Sequence, residues 1–377
     1  LSDRILIVGA GFAGAVYARE LAEHGFDVNV IDKRPHIGGN AFDETLSNGT
    51  RIHRYGPHLF HTNNETVVAW LTRFGEFVEY RHRVQALLEN GMTVPLPINR
   101  TTINEIFGEH LTDIEQVKSF LRSQSEHISA PANAAEYLNA NIGRKLTDLF
   151  FRPYTKKMWG LDLESMSSEV VKRIPLRLDD EDLYFPGDKF QLLPVHGYTR
   201  IFEEILNHPR ISTQTSVVFS KSMLGDFKHC FNSMPIDEYY DYELGRLPYR
   251  SIKFHHRDEP VGYALGKAPT INFTDDSRFT RQTDWSLLPG NEGTKSPTKT
   301  VTTEEPCDYL DNDFERYYPV KTSDSRYEAI YQMYKLRSGN EAGISFIGRC
   351  GTYQYLDMHQ VISQSLHGVH SWISSQT

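Results

Sequence analysis

The chain opens on an uninterrupted apolar run, Ile5-Leu6-Ile7-Val8, followed by Gly9-Ala10-Gly11-Phe12-Ala13-Gly14 and an alanine-rich segment. This pattern predicts a strand, a tight glycine turn and a helix, with a second strand at Val28-Asn29-Val30-Ile31. From Thr101 to about Gly160 the periodicity becomes helical. Thr112-Asp113-Ile114-Glu115 and Asn133-Ala134-Ala135-Glu136 read as caps before apolar-periodic runs, and Pro131 closes the preceding loop. Segments near 80–97, 182–200 and 247–305 read instead as strands and turns, rich in Val, Thr, Tyr and Phe. Arg250-Ser251-Ile252-Lys253-Phe254 alternates polar and apolar, and Pro289-Gly290-Asn291-Glu292-Gly293 marks a loop or hairpin tip within 286–300. The end echoes the beginning. Ile344-Ser345-Phe346-Ile347 stops at Gly348, and Ile362, Leu366, Val369 and Ile373 then recur at helical spacing after Asp357-Met358.

The glycines of the first turn suit a dinucleotide pyrophosphate. Gly9 permits the turn, Gly11 lets the main chain approach phosphate, and Gly14 allows close strand–helix packing. The helix start offers N–H groups and a positive dipole end to the anion. Asp32 closes the second strand, 23 positions after Gly9, where a carboxylate accepts from a ribose hydroxyl. Ligands of open α/β sheets sit beyond the carboxyl ends of strands, so Gly348 and Arg349 should also reach the cofactor.

At 377 residues the chain is long enough for two or three domains. A net charge of −9 argues against broad nucleic-acid or anionic-membrane binding, while leaving room for a small anion held by a few arginines. Cys230, Cys307 and Cys350 are dispersed and lack metal spacing, which points to a reducing compartment and no metal site. The longest apolar stretch, Ile5 to Ala18, falls short of the roughly 20 residues that span a bilayer. A cytoplasmic enzyme is therefore the expectation.

Asp32-Lys33-Arg34-Pro35-His36-Ile37-Gly38-Gly39-Asn40 places a glycine pair just after the ribose acid. Such a pair resembles the large flavoprotein family of glutathione reductase and the amine oxidases, where it passes close to the FAD pyrophosphate. The amine oxidases usually continue with Arg; here Asn40 follows, and then Tyr55-Gly56-Pro57-His58-Leu59-Phe60-His61-Thr62-Asn63. That combination resembles the bacterial UDP-galactopyranose mutase family. The likeness continues in order through Pro95-Leu96-Pro97-Ile98-Asn99, Tyr154-Thr155-Lys156-Lys157-Met158-Trp159-Gly160 and Lys172-Arg173-Ile174-Pro175-Leu176-Arg177. It ends with Gly245-Arg246-Leu247-Pro248-Tyr249-Arg250, Arg316-Tyr317-Tyr318-Pro319 and the run from Gly348 to Met358.

The resemblance implies an α/β fold: an FAD-binding Rossmann-like domain, an inserted small helical domain and an antiparallel β-sheet domain. The expected bounds are 1–75, about 200–240 and 320–377 for the first, about 100–170 for the second, and about 76–99, 171–199 and 241–319 for the third. It implies FAD held by Gly9, Gly11, Phe12, Ala13, Gly14, Asp32, Lys33, Gly38, Gly39, Asn40, His58, Leu59, Gly348, Arg349, Leu356, Asp357 and Met358. It implies a nucleotide-sugar substrate whose uracil meets Phe150, Phe151, Tyr154, Thr155 and Trp159, with Asn272 beside the uridine. Arg173 and Arg281 would hold the diphosphate, with Tyr184, Tyr318 and Tyr355 against it or the neighbouring substrate, and His82 and Arg250 complete the expected substrate contacts. His58 and Arg349 would lie beside the isoalloxazine, making His58, Arg173 and Arg281 the supporting residues of catalysis.

The implied reaction is a redox-neutral ring contraction, UDP-galactopyranose to UDP-galactofuranose, in which N5 of reduced FAD forms an adduct with the sugar. NAD(P)H would serve only to prime the flavin, the product would feed cell-surface polysaccharide, and a homodimer is expected. Departures from the galactose-specific pattern fall at His82, Pro153 and Leu192, and at Gln282, Asp284 and Trp285 within Arg281-Gln282-Thr283-Asp284-Trp285. They keep dTDP-fucopyranose and UDP-N-acetylgalactosamine open as substrates. A flavin amine oxidase is the more distant alternative.

Overall fold

The computed structural model describes residues 4–172, 176–293, 295–322 and 324–376. Its centre is a five-stranded, all-parallel sheet. The strand β1 (Arg4–Val8) pairs on one side with β2 (Asp27–Ile31) and on the other with His229–Asn232. Ile211–Gln214 and Ile344–Phe346 form the edges. A parallel strand covered on both faces needs an apolar run, which explains the unbroken Ile5–Val8. The helix α1 (Phe12–Glu23) covers one face with its alanines, beside Met358–Ser374. Buried Glu20 of α1 accepts from the Trp70 indole at 2.6 Å and lies 2.7 Å from His370 of the last helix, which ties three segments together.

A seven-stranded sheet runs in the order Tyr318–Pro319, Tyr249–Pro260, Thr298–Asp308, Arg281–Asp284, Thr270–Phe273, Val84–Leu87 and Thr93–Leu96. An antiparallel sheet is the expectation, but this one is mixed, because Thr270–Phe273 lies parallel to Val84–Leu87. The intervening helices insert between these strands in sequence, so the two cannot be joined by a hairpin. Phe190–Pro194 also leaves the expected sheet: it pairs with Phe60–Thr62 and Phe77–Glu79 in a separate three-stranded sheet.

Helices over Arg100–Trp159 pack around Val117, Leu121, Leu138 and Leu146 in a core shared with Ala86 and Val94 of the seven-stranded sheet. Their starts follow the cap signals. Asp113 accepts from the Gln116 N–H at 2.9 Å, and Asn133 from that of Glu136 at 2.9 Å, while Glu136 reaches back to the Ala132 N–H. Among the described residues, no helix is long and apolar enough to cross a membrane.

Candidate active site

A cavity of about 1210 Å³ lies between the carboxyl ends of the parallel strands and one face of the seven-stranded sheet. On the strand side its wall is main chain. Gly9 has φ +101°, and a Cβ there would stand 2.0 Å from Ser233 Oγ. A Cβ on Gly14 would lie 1.9 Å from the Gly9 carbonyl oxygen. Gly39, at φ +55°, comes so near Gly11 that its Cβ would fall 2.9 Å from the Gly11 Cα. The two glycine turns thus meet backbone to backbone, and no side chain caps α1. This is a cradle that any Cβ would fill, and it suits a pyrophosphate at a helix start.

Asp32 lines the cavity and braces the turn, its two oxygens accepting from the Ala10 and Arg34 N–H groups at 2.8 Å each. Arg34 lies 4.2 Å from the Tyr55 ring centroid, donates to Asn40 Oδ1 at 2.9 Å and pairs with Glu315. Lys33, Gly38, Leu59, Leu356, Asp357 and Met358 line the same crevice, and Gly348 approaches Ala13 from the last strand.

His58 sits where the crevice opens toward the sheet. Its Nδ1 is 2.8 Å from the Gly56 carbonyl, an acceptor, so Nδ1 carries the proton and Nε2 is left as the acceptor. Burial above all pushes His58 down to about 3, with His53, Arg349 and Arg281 adding to the effect. His82 is likewise pushed down to about 3 by burial, then by Arg281 and His61, and its Nδ1 lies 3.1 Å from the Tyr80 hydroxyl. Both are neutral imidazoles near pH 7.

The facing wall is a row set by strand register. Ala86, Asn272, Arg281, Glu304 and Phe254 stand directly opposite one another on five adjacent strands. Opposed charges on neighbouring strands then meet, with Arg281 Nε 2.8 Å from Glu304 Oε2. Burial alone would discourage the Arg281 charge; Glu304 overrides that and holds the guanidinium protonated. Tyr154, Met158 and Trp159 enter from the helix Arg152–Trp159. Tyr318 and Tyr355 stack at 5.2 Å, Trp159 lies within 6.4 Å of both, and the Arg349 guanidinium lies 5.4 and 5.1 Å from their ring centroids. Tyr184 lines the cavity on a loop shaped by buried Arg177, which donates to the Glu181, Leu183 and Tyr184 carbonyls.

Several expected contact residues fall outside the cavity lining. Phe150, Phe151 and Thr155 do not line the cavity; all three are buried, the phenylalanines in the helical core. The cause is a π-helical segment, Thr147–Phe151, whose wider turn breaks the single-helix phase, so Tyr154 and Met158 face the cavity while Phe150 and Phe151 do not. Arg250 does not line it either: it donates to the Met158 and Lys157 carbonyls at 2.8 and 3.1 Å, closing the helix that carries Trp159. Gly14 acts only from behind, through packing. Leu192 lies in the strand opposite Phe60, and Trp285 is fully buried with its indole N–H on Thr302, so neither lines the cavity. Pro153 occupies the first turn of its helix, where no N–H is missed. Arg173 lies outside the described residues. Sequence reading passed over Glu304, Tyr55 and His61 as site residues, although Tyr55 and His61 belong to a recognised phrase. Among the described residues no group of three His, Cys, Asp or Glu could hold a metal.

Residues 149–355 match the UDP-galactopyranose mutase family, and residues 7–74 the NAD(P)-binding Rossmann-like domain. The chain is 36% identical to a probable UDP-galactopyranose mutase of Klebsiella pneumoniae, over 99% of this chain and 96% of the relative. It is 34% identical to a dTDP-fucopyranose mutase of Escherichia coli, over 99% of each. Its fold is similar to the crystal structure of reduced UDP-galactopyranose mutase, with a TM-score of 0.72 at 18% identity, covering 98% and 95% of the two chains.

Proposed function

The chain belongs to the UDP-galactopyranose mutase family of isomerases, and we propose that it is a flavin-dependent, redox-neutral mutase interconverting the pyranose and furanose forms of a nucleotide sugar, UDP-galactose first. The observation that carries this reading is one cavity with a glycine cradle on one wall and the Asn272–Arg281–Glu304 row on the other. When bound and reduced, FAD supplies a nucleophilic nitrogen for the anomeric carbon. The protein does the rest by positioning and electrostatics.

In this reading Gly9, Gly11 and Gly39 take the pyrophosphate, Asp32 a ribose hydroxyl, and Arg349 favours an anionic reduced flavin by its fixed charge. Trp159 and Tyr154 give the flat base a large contact area. Arg281, with Arg173, holds the diphosphate as it departs and returns, because a guanidinium bonds two phosphate oxygens at once. Tyr184, Tyr318 and Tyr355 add uncharged donors, since burial holds the Tyr318 proton firmly in place. NAD(P)H as reductant, a homodimer and a cytoplasmic setting are part of the same proposal.

A second substrate is favoured by nearly equal likeness to a dTDP-fucopyranose mutase, and UDP-N-acetylgalactosamine is a third. Small contacts separate such sugars by about 1–3 kcal/mol. The test incubates dithionite-reduced protein with UDP-galactose, UDP-N-acetylgalactosamine and dTDP-fucose and resolves pyranose from furanose by chromatography. Furanose from one of them, and none from oxidised protein, is expected. Equal turnover with oxidised flavin, or substrate-dependent flavin reduction with peroxide formation, refutes the reading.

A further inference from the structure

Turning a pyranose into a furanose moves one proton. The ring oxygen O5 becomes a hydroxyl, and the 4-hydroxyl becomes the new ring oxygen. A group beside the sugar must hold that proton in between, and most candidates in the cavity are committed elsewhere. Glu304 faces Arg281, Glu315 pairs with Arg34, and Asp32 accepts two N–H groups. His58 and His82 are pushed down to about 3, chiefly by burial, and burial raises the Tyr154 and Tyr318 hydroxyls.

His61 is built differently. It lines the cavity from the strand Phe60–Thr62, with its ring stacked on Phe185 at 3.6 Å and 10°. Its Nδ1 lies 2.6 Å from Asp188 Oδ2, a charge-assisted contact that fixes the proton on Nδ1 and leaves Nε2 as the exchanging atom. Asp188 is itself held: its Oδ1 accepts from Asn63 Nδ2 at 3.1 Å, while Asn63 Oδ1 accepts from the Lys189 N–H at 2.7 Å. A carboxylate orienting an imidazole on a cavity wall is the general arrangement of an acid–base couple.

We propose that His61, oriented by Asp188, carries the proton between O5 and O4 during the isomerisation. The proposal rests on the functional reading above. The imidazolium gives its Nε2 proton to O5 as the C1–O5 bond breaks, and that bond's electron pair stays on O5. The neutral Nε2 then takes the proton of the 4-hydroxyl as an O4 lone pair forms the C1–O4 bond. Protons and electrons balance, and no oxidant is needed. Asp188 is the positioning residue.

The test compares wild type, His61→Gln and Asp188→Asn as reduced flavoproteins on whichever nucleotide sugar the wild type turns over. His61→Gln should lower kcat by about 10²–10⁴-fold with KM little changed and the flavin spectrum intact. Asp188→Asn should lower kcat about tenfold, again without a rise in KM, whereas a merely structural role would raise KM or release flavin. Imidazole added to His61→Gly should restore turnover at least severalfold. A His61→Gln kcat within threefold of wild type overturns the assignment, as does a flavin-loaded His61→Gly that imidazole does not rescue. Wild type that isomerises none of the three sugars instead refutes the functional reading itself.

Discussion

The two walls of the cavity are made of different material. Around Gly9–Gly14 and Gly38–Gly39 the surface is main chain, packed so closely that a Cβ on Gly9, Gly14 or Gly39 would collide with backbone or a neighbouring side chain. Opposite, the surface is side chains on separate strands, aligned by register into the Asn272–Arg281–Glu304 row. The first wall recognises by shape and N–H direction, so it tolerates no added atom. The second recognises by charge, so its shape is forgiving while its charges are not.

The largest expected effect falls on the side-chain wall. Arg281→Ala should reduce turnover by about 10²–10³-fold while the flavin absorbance stays unchanged. Turnover within tenfold of wild type would erase the contrast. A middle-sized effect belongs to the main-chain wall: Gly14→Ala must displace the Gly9 carbonyl and should cost about 1–3 kcal/mol in urea unfolding, with flavin lost. Full flavin retention at wild-type stability would mean that the close fit has no consequence. The smallest effect, taken per pH unit and per histidine, is a pH slope. Burial pushes His53 and His82 down to about 3, so the unfolded chain binds the extra protons on acidification. Stability should be complete above about pH 6.5 and fall toward pH 3, by about 1 kcal/mol per pH unit for each histidine. His58, open to the cavity, should add less. Urea midpoints at pH 7, 6 and 5 check this, and His82→Asn should show a shallower slope.

The same contrast decides what could be read from the sequence. Gly9–Gly14, Gly38-Gly39 and the caps at Asp113 and Asn133 are local devices, in which neighbours in sequence impose a backbone shape on one another. They were legible for that reason. The parallel pairing of Thr270–Phe273 with Val84–Leu87, the Glu304 partner of Arg281 and the Asp188 partner of His61 come from elements far apart in the chain. No short phrase encodes such meetings. Phe150 and Phe151 differ for a third reason: they lie off the cavity lining because one π turn shifts the helical phase, and a period of 3.6 has no term for it.

The parallel sheet also makes the crevice a long-range construction. Its strands come from distant parts of the sequence: Arg4–Val8 sits beside His229–Asn232, and Ile344–Phe346 forms the far edge. Gly348, which meets Ala13 across the cofactor crevice, comes just after that edge. The crevice is therefore complete only once Ile344–Phe346 has paired with His229–Asn232, and any chain lacking that strand would present only half of it.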